Sequence, residues 1–73
     1  MESLYKIRYK PNGLYYNGDY LYDPFNKKGK IYKTKHAAKD AAMKLEANAS
    51  HFPDIDIRQI EIVEFVLTEV GTI

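Results

Sequence analysis

The chain has 73 residues, no cysteine, no tryptophan and a formal net charge of +1. This length suits one small domain, and the lack of cysteine excludes a disulfide framework and thiolate metal sites. The sequence has no apolar run of about 18 residues and no charged N-terminus followed by an apolar stretch, so we expect neither a membrane span nor a signal peptide.

Charge is distributed unevenly along the chain. Residues 1–39 carry nine Lys or Arg against three acidic residues, whereas residues 40–73 carry two against seven. Such a split can mark an interaction surface. The alternative is that basic and acidic strands pair within one sheet and cancel each other locally.

The first predicted element is a β-hairpin. Residues 4–10 alternate between mainly apolar and basic side chains, which predicts a strand with one apolar and one basic face. Pro11-Asn12-Gly13 then predicts a turn, because proline lacks a donor and Asn-Gly tolerates positive φ. Residues 14–16 should form the antiparallel return strand.

The next segment is less regular. Turn signals at residues 17–19 and at Asp23-Pro24 flank a short tyrosine-rich segment, residues 20–22. We interpret residues 25–29 as a loop and residues 30–33 as a further strand. The pattern leaves open whether Ile31 or Tyr32 points inward.

Residues 35 to about 49 predict a helix, because they contain no Gly, Pro or β-branched residue. Thr34 is the expected N-cap. The residues expected to face the sheet share one arc of the helix: Ala38, Ala41, Ala42, Leu45 and Ala49.

The last predicted strand covers residues 58–67. Its apolar positions change phase, with two isoleucines on one face and three later residues on the other: Ile60 and Ile62, then Val63, Phe65 and Leu67. Either a bulge shifts the phase near Ile62, or the strand is partly covered on both sides.

These elements predict an α+β fold, with a single antiparallel or mixed sheet of three to four strands and one helix packed on one face. The predicted order is β-β-(β)-β-α-β. We expect residues 1–73 to form one domain with a loose tail at residues 68–73.

Three motifs recur in one order along the chain: IR-x-K-x-x-GLYY at residues 7–16, KKGK-[IV]-Y at residues 27–32, and IVE-aromatic at residues 62–65. In these motifs the chain resembles a family of short uncharacterised proteins of tailed bacteriophages. The alanine-rich helix and the tyrosine-rich segment between them depart from the family pattern. The resemblance implies a phage origin and action in the cytoplasm of the bacterial host, without implying a molecular activity.

Catalytic and metal-binding patterns are weak. His36 and Asp40 lie one helical turn apart, and His51 precedes Asp54 and Asp56. Each group is better explained as solvated surface, since a metal site needs more ligands and a supporting shell. We therefore expect no enzymatic activity, no metal and no cofactor.

The basic, tyrosine-rich residues of the first half are the better candidates for a binding surface: Lys6, Arg8, Lys10, Tyr15, Tyr20, Tyr22, Lys27, Lys28, Lys30, Tyr32 and Lys33. Our leading hypothesis is a phage accessory protein, for host takeover or counter-defence, that binds and modulates a host protein stoichiometrically as a monomer or homodimer. The alternative is a nucleic-acid-binding protein that uses a basic, tyrosine-rich sheet surface.

Overall fold

In a computed structural model, which describes residues 2–19 and 23–67, the chain forms a four-stranded antiparallel sheet and one α-helix. The elements are β1 (Glu2–Tyr9), β2 (Tyr15–Tyr16), β3 (Phe25–Asn26), α1 (Lys35–Ala47) and β4 (Ile60–Leu67). The strand order is β3-β2-β1-β4. The predicted α+β class is confirmed.

β1 is a central strand, and its two sides are paired differently. Toward β4 it is paired along its full length, from Glu2 opposite Leu67 to Tyr9 opposite Ile60. On its other side it meets β2 where Arg8 faces Tyr15, beyond the predicted turn at residues 11–13. The predicted hairpin is therefore present, and most of the ladder joins the two ends of the chain.

The core lies between the sheet and α1. Thr34 caps the helix as predicted, its Oγ1 accepting a hydrogen bond from the Ala37 amide at 3.1 Å. The helix ends at Ala47, two residues earlier than predicted, and a 3₁₀ turn follows. The buried apolar side chains come from all these elements: Ile7, Tyr9, Tyr16, Phe25, Tyr32, Ala38, Ala41, Leu45 and Phe52.

The prediction for the third strand was wrong. Phe25 and Asn26, expected in a loop, form β3, because Phe25 is buried and its ring stacks on that of Tyr9 at 5.2 Å. The predicted strand at residues 30–33 is reduced to an isolated bridge, in which Tyr32 exchanges two 2.8 Å backbone hydrogen bonds with Tyr5, and to one 2.8 Å bond from the Lys30 amide to the Tyr16 carbonyl oxygen. Tyr32 points inward, whereas Ile31 is 53% exposed.

The phase of β4 is settled by its unbroken register with β1, so the bulge interpretation was wrong. Directly opposed residues lie on the same face of a sheet. Ile60 and Ile62 therefore share the helix-covered face with Ile7, and Val63 and Phe65 lie on the other face. β4 begins at Ile60 rather than at residue 58, after a 3₁₀ turn.

Two predicted segments, residues 20–22 and the tail at residues 68–73, lie outside the described residues.

The loop after β3 packs tightly under β2 at Gly29. This glycine has φ +69°, and a Cβ placed on it would lie 2.3 Å from the Cβ of Tyr15. Gly13 in the hairpin turn has a similar φ, +71°, but a Cβ there would meet open space. The two glycines thus share one backbone requirement and differ in their surroundings.

We expect Gly13→Ala to lower the free energy of unfolding by about 1 kcal/mol through backbone strain alone. Gly29→Ala should cost at least about 2 kcal/mol more, because Tyr15 must also move. Urea unfolding of both variants measures the difference. Equal losses would contradict the close packing of the loop on Tyr15.

Candidate functional site

The side of the sheet opposite α1 forms the surface that we call the open face. Its residues alternate along three strands, and each is partly exposed: Leu4, Lys6, Arg8, Tyr15, Glu61, Val63 and Phe65. In the part of the chain that the structure describes, α1 packs against the other side of the sheet. The loop at residues 27–29 touches the margin of the open face, beside Tyr15.

Lys6 lies at the centre of the open face between two aromatic rings. Its Nζ is 4.8 Å from the ring centroid of Tyr15 and 5.5 Å from that of Phe65. The two rings approach edge to face, with centroids 6.1 Å apart. This follows from the register, because Tyr15 and Phe65 oppose the residues two positions away from Lys6 on either side.

The same ammonium group also holds the neighbouring loop, donating a 2.8 Å hydrogen bond to the carbonyl oxygen of Lys28. Cation–π attraction and this hydrogen bond both favour one position of the Lys6 side chain. The Lys6 side chain at the centre of the open face is therefore held in one position.

Arg8 and Glu61 form a cross-strand ion pair at one end of the open face. They are directly opposed in the ladder, and the Arg8 Nε donates to Glu61 Oε1 at 2.7 Å, with a second contact from the guanidinium to the same oxygen. Hydrogen bonding to Glu61 raises the pKa of Arg8. At this position the basic and acidic halves of the sequence cancel locally.

The structure does not gather the predicted basic residues into one patch. Lys6, Arg8 and Tyr15 meet on the open face, and Lys27 and Lys28 are exposed at its margin. Two other lysines are exposed elsewhere: Lys10 in the hairpin turn and Lys33 just before α1. Lys30 lies in a groove with α1, where its Nζ is 5.5 Å from the ring centroid of the buried Tyr32. Tyr20 and Tyr22 are outside the described residues.

Sequence reasoning missed four members of the open face: Leu4, Glu61, Val63 and Phe65. The signal for the last two was present, since Val63 and Phe65 alternate in opposite phase to the isoleucines before them. It became informative only with the register against β1, which fixes the face that each side chain occupies.

The weak catalytic patterns stay on the surface. His36 Nε2 lies 3.4 Å from Asp40 Oδ2 on the exposed side of α1. Asp56 accepts hydrogen bonds from the side chain and amide of Arg58, which lower the pKa of its carboxyl group. Over residues 2–19 and 23–67, no three His, Asp or Glu side chains lie close enough together to hold a metal ion.

Within the same described ranges, α1 is too short and too polar to cross a membrane.

Scans against protein-family models, curated proteins and solved structures found no match to this chain. The resemblance to phage proteins stays a prediction that depends on the three motifs.

We expect Lys6→Met to lower the free energy of unfolding by about 0.5–1.5 kcal/mol, because it keeps the aliphatic stem but removes the cation–π contacts and the hydrogen bond to Lys28. Lys10→Met removes the same charge from an exposed turn and should change stability by less than about 0.5 kcal/mol. Chemical denaturation compares them. Equal effects would mean that Lys6 does not order the open face.

Proposed function

We propose that the protein is a small accessory protein that binds a protein of the bacterial host through its open face and modulates it stoichiometrically, without catalysis. The observation that carries this proposal is the open face itself. It combines two aromatic rings, the aliphatic side chains of Leu4 and Val63, and a neutralised Arg8–Glu61 pair on one side of the sheet.

The composition of the open face supports a protein partner. Aromatic residues and arginine are enriched in the centres of protein interfaces, where buried anchors supply most of the binding free energy. Tyr15 and Phe65 are such anchors. The ion pair beside them presents little net charge, so covering it leaves no isolated charge in the interface.

The order of the open face adds to this argument. Association normally costs free energy for fixing flexible side chains. Here Lys6 is already held by two rings and a backbone carbonyl, and Arg8 by Glu61. The surface is therefore preorganised on the longest strand pair of the sheet.

The phage origin and the action in the host cytoplasm are part of this proposal, and they are supported by the three motifs alone. Two of the motifs supply residues of the open face: Arg8 and Tyr15 come from the first, and Val63 and Phe65 from the third. The residues that carry the resemblance are thus partly the residues proposed to bind.

A second candidate, binding of single-stranded nucleic acid, has one observation in its favour. Tyr15 and Phe65 flank Lys6, and the exposed Lys27 and Lys28 lie at the margin nearby. Aromatic rings beside basic side chains hold bases and phosphates in many such proteins. Against it, the Arg8 charge is neutralised and the remaining lysines are dispersed, which weakens phosphate binding.

The test uses the full chain as bait in lysate of the bacterial host, followed by affinity measurement with the purified partner. Phe65→Ala should weaken binding by at least about tenfold, because it removes an anchor. His36→Ala, which removes an exposed aromatic ring from α1, is the matched control and should change the affinity by less than about twofold. Equal affinities of the two variants would contradict binding through the open face.

Labelled single- and double-stranded DNA and RNA, titrated over a salt series, separate the two candidates. If the partner is a protein, we expect no binding of these nucleic acids at physiological salt. Binding that weakens steeply with salt, and is lost in Lys27→Ala/Lys28→Ala but kept in the charge-matched Lys33→Ala/Lys35→Ala, would establish the second candidate instead.

A further inference from the structure

The outer edge of β4 offers unpaired backbone groups. On β1, the Tyr5 and Tyr9 amides donate toward the β2 side, whereas the Lys10 amide donates to Gln59 just before β4. Because bonding alternates along an antiparallel strand, even-numbered amides of β1 face β4. The register then turns the amides and carbonyls of Ile62, Glu64 and Val66 outward, where no other described residue pairs with them.

This edge lacks the usual protection. Natural edge strands are commonly short, bulged, or interrupted by proline or lysine, which prevents pairing with other chains. β4 has eight residues, an unbroken register, and neither proline nor lysine. Its charged residues are Glu61, which pairs with Arg8, and Glu64, which accepts a hydrogen bond from the Tyr5 hydroxyl.

Exposed apolar surface lies beside the same edge. The large hydrophobic residues left exposed among the described residues are Ile31, Met43 and Val66, at 53%, 66% and 50%. Val66 belongs to β4, and Met43 lines a groove of about 320 Å³ between α1 and β4 with Ile57, Ile60 and Ile62. Exposed apolar area beside an open strand edge is typical of an interaction site.

We propose that a second copy of this chain pairs with this edge, its β4 antiparallel to the first, to form one continuous sheet. Side-by-side antiparallel pairing of identical strands requires a two-fold axis perpendicular to the sheet. Both helices then lie on the same side. The axis must lie midway between one residue and the same residue of the second copy, which restricts the possible registers.

A register in which Glu61 or Glu64 faces its own copy would place identical carboxylates opposite each other and is disfavoured. If Val63 faces its own copy, residues 60–66 of the two strands pair completely. If Ile62 faces its own copy, a ladder of the same length covers residues 59–65, with Gln59 in place of Val66. The register in which Val63 faces its own copy, here called the Val63 register, therefore pairs every residue of β4 from Ile60 to Val66.

The Val63 register also brings exposed groups of the two copies together. In its own chain the Glu64 carboxylate accepts a 3.3 Å hydrogen bond from the Tyr5 hydroxyl. Across the dimer it lies opposite Ile62 of the second copy, whose groove is also lined by Lys39 and Glu46, so the second copy offers this carboxylate an ammonium group. Val66 lies opposite Ile60 at the groove lined by Met43. This self-complementarity favours a second copy over a strand of another protein. The proposal is independent of the open face.

Sedimentation velocity of the full chain, from about 1 µM to about 1 mM, tests the proposal. We expect a monomer–dimer equilibrium within this range. Val66→Lys should raise the dimer Kd by at least about tenfold, because it places a charge in the groove of the second copy. Ile31→Lys, with a similarly exposed residue away from this edge, should change it by less than about twofold.

Charge reversal gives a test that does not depend on burying a lysine. Lys39→Glu and Glu64→Lys should each raise the dimer Kd, and the double variant should restore it. Circular dichroism verifies that each variant is folded. Failure of the double variant to restore dimerisation would overturn the Val63 register.

Amide hydrogen exchange identifies the edge itself. The amides of Ile62, Glu64 and Val66 should exchange more slowly as the protein concentration rises, whereas those of Glu61, Val63 and Phe65 should not change. A monomer at every concentration would overturn the proposal. If these three amides exchange slowly at every protein concentration, their hydrogen-bond partner lies in the same chain. That result would also overturn the proposal.

Discussion

The antiparallel pairing of β1 with β4 is the constraint on which the rest of the structure depends. It joins the two ends of the chain over eight residues and makes β1 a central strand, with β4 on one side and β2, followed by β3, on the other. β2 and Tyr32 complete its other side, and α1 packs where Ile7 opposes Ile62. Because side chains alternate between faces, a slip by one residue would move Ile62 out of the core and Val63 into it.

The same pairing produces both candidate interaction surfaces. On one face it brings Phe65 from the end of the chain beside Lys6, across from Tyr15, and it sets Glu61 against Arg8. At the outer edge it leaves one long strand with outward backbone groups and a groove below it. In the two proposals, the face of this small sheet binds a different protein and its edge binds a second copy, so the two surfaces act separately.

The parts of the fold that were predicted correctly depend on local sequence. Alternation in β1, the Asn-Gly turn and the Thr34 cap each involve neighbouring residues, and each is present. β3 could not be predicted, because two residues are too few for a pattern and Phe25 is held by the distant ring of Tyr9. The candidate lysines of residues 27–33 do not lie together, because the chain turns at Gly29: Lys28 lies beside Lys6, whereas Lys30 lies in a groove with α1. Of the residues on the open face, Lys6, Arg8 and Tyr15 were among the candidates named from the sequence, whereas Val63 and Phe65 could be placed there only from the register.

Disulfide trapping of the β1–β4 register tests this account most directly, because the natural chain contains no cysteine. Tyr5 and Glu64 are directly opposed in a pair without mutual hydrogen bonds, where Cα atoms are about 4.5 Å apart, within reach of a disulfide. Mild oxidation of the Tyr5→Cys/Glu64→Cys variant should therefore form an intramolecular disulfide in the folded protein. In the Tyr5→Cys/Val63→Cys variant the two side chains lie on opposite faces, and no such disulfide should form. If the second variant formed a disulfide as fast as the first, or if it alone formed one, the register would be contradicted. The assignment of residues to the open face would then be wrong as well.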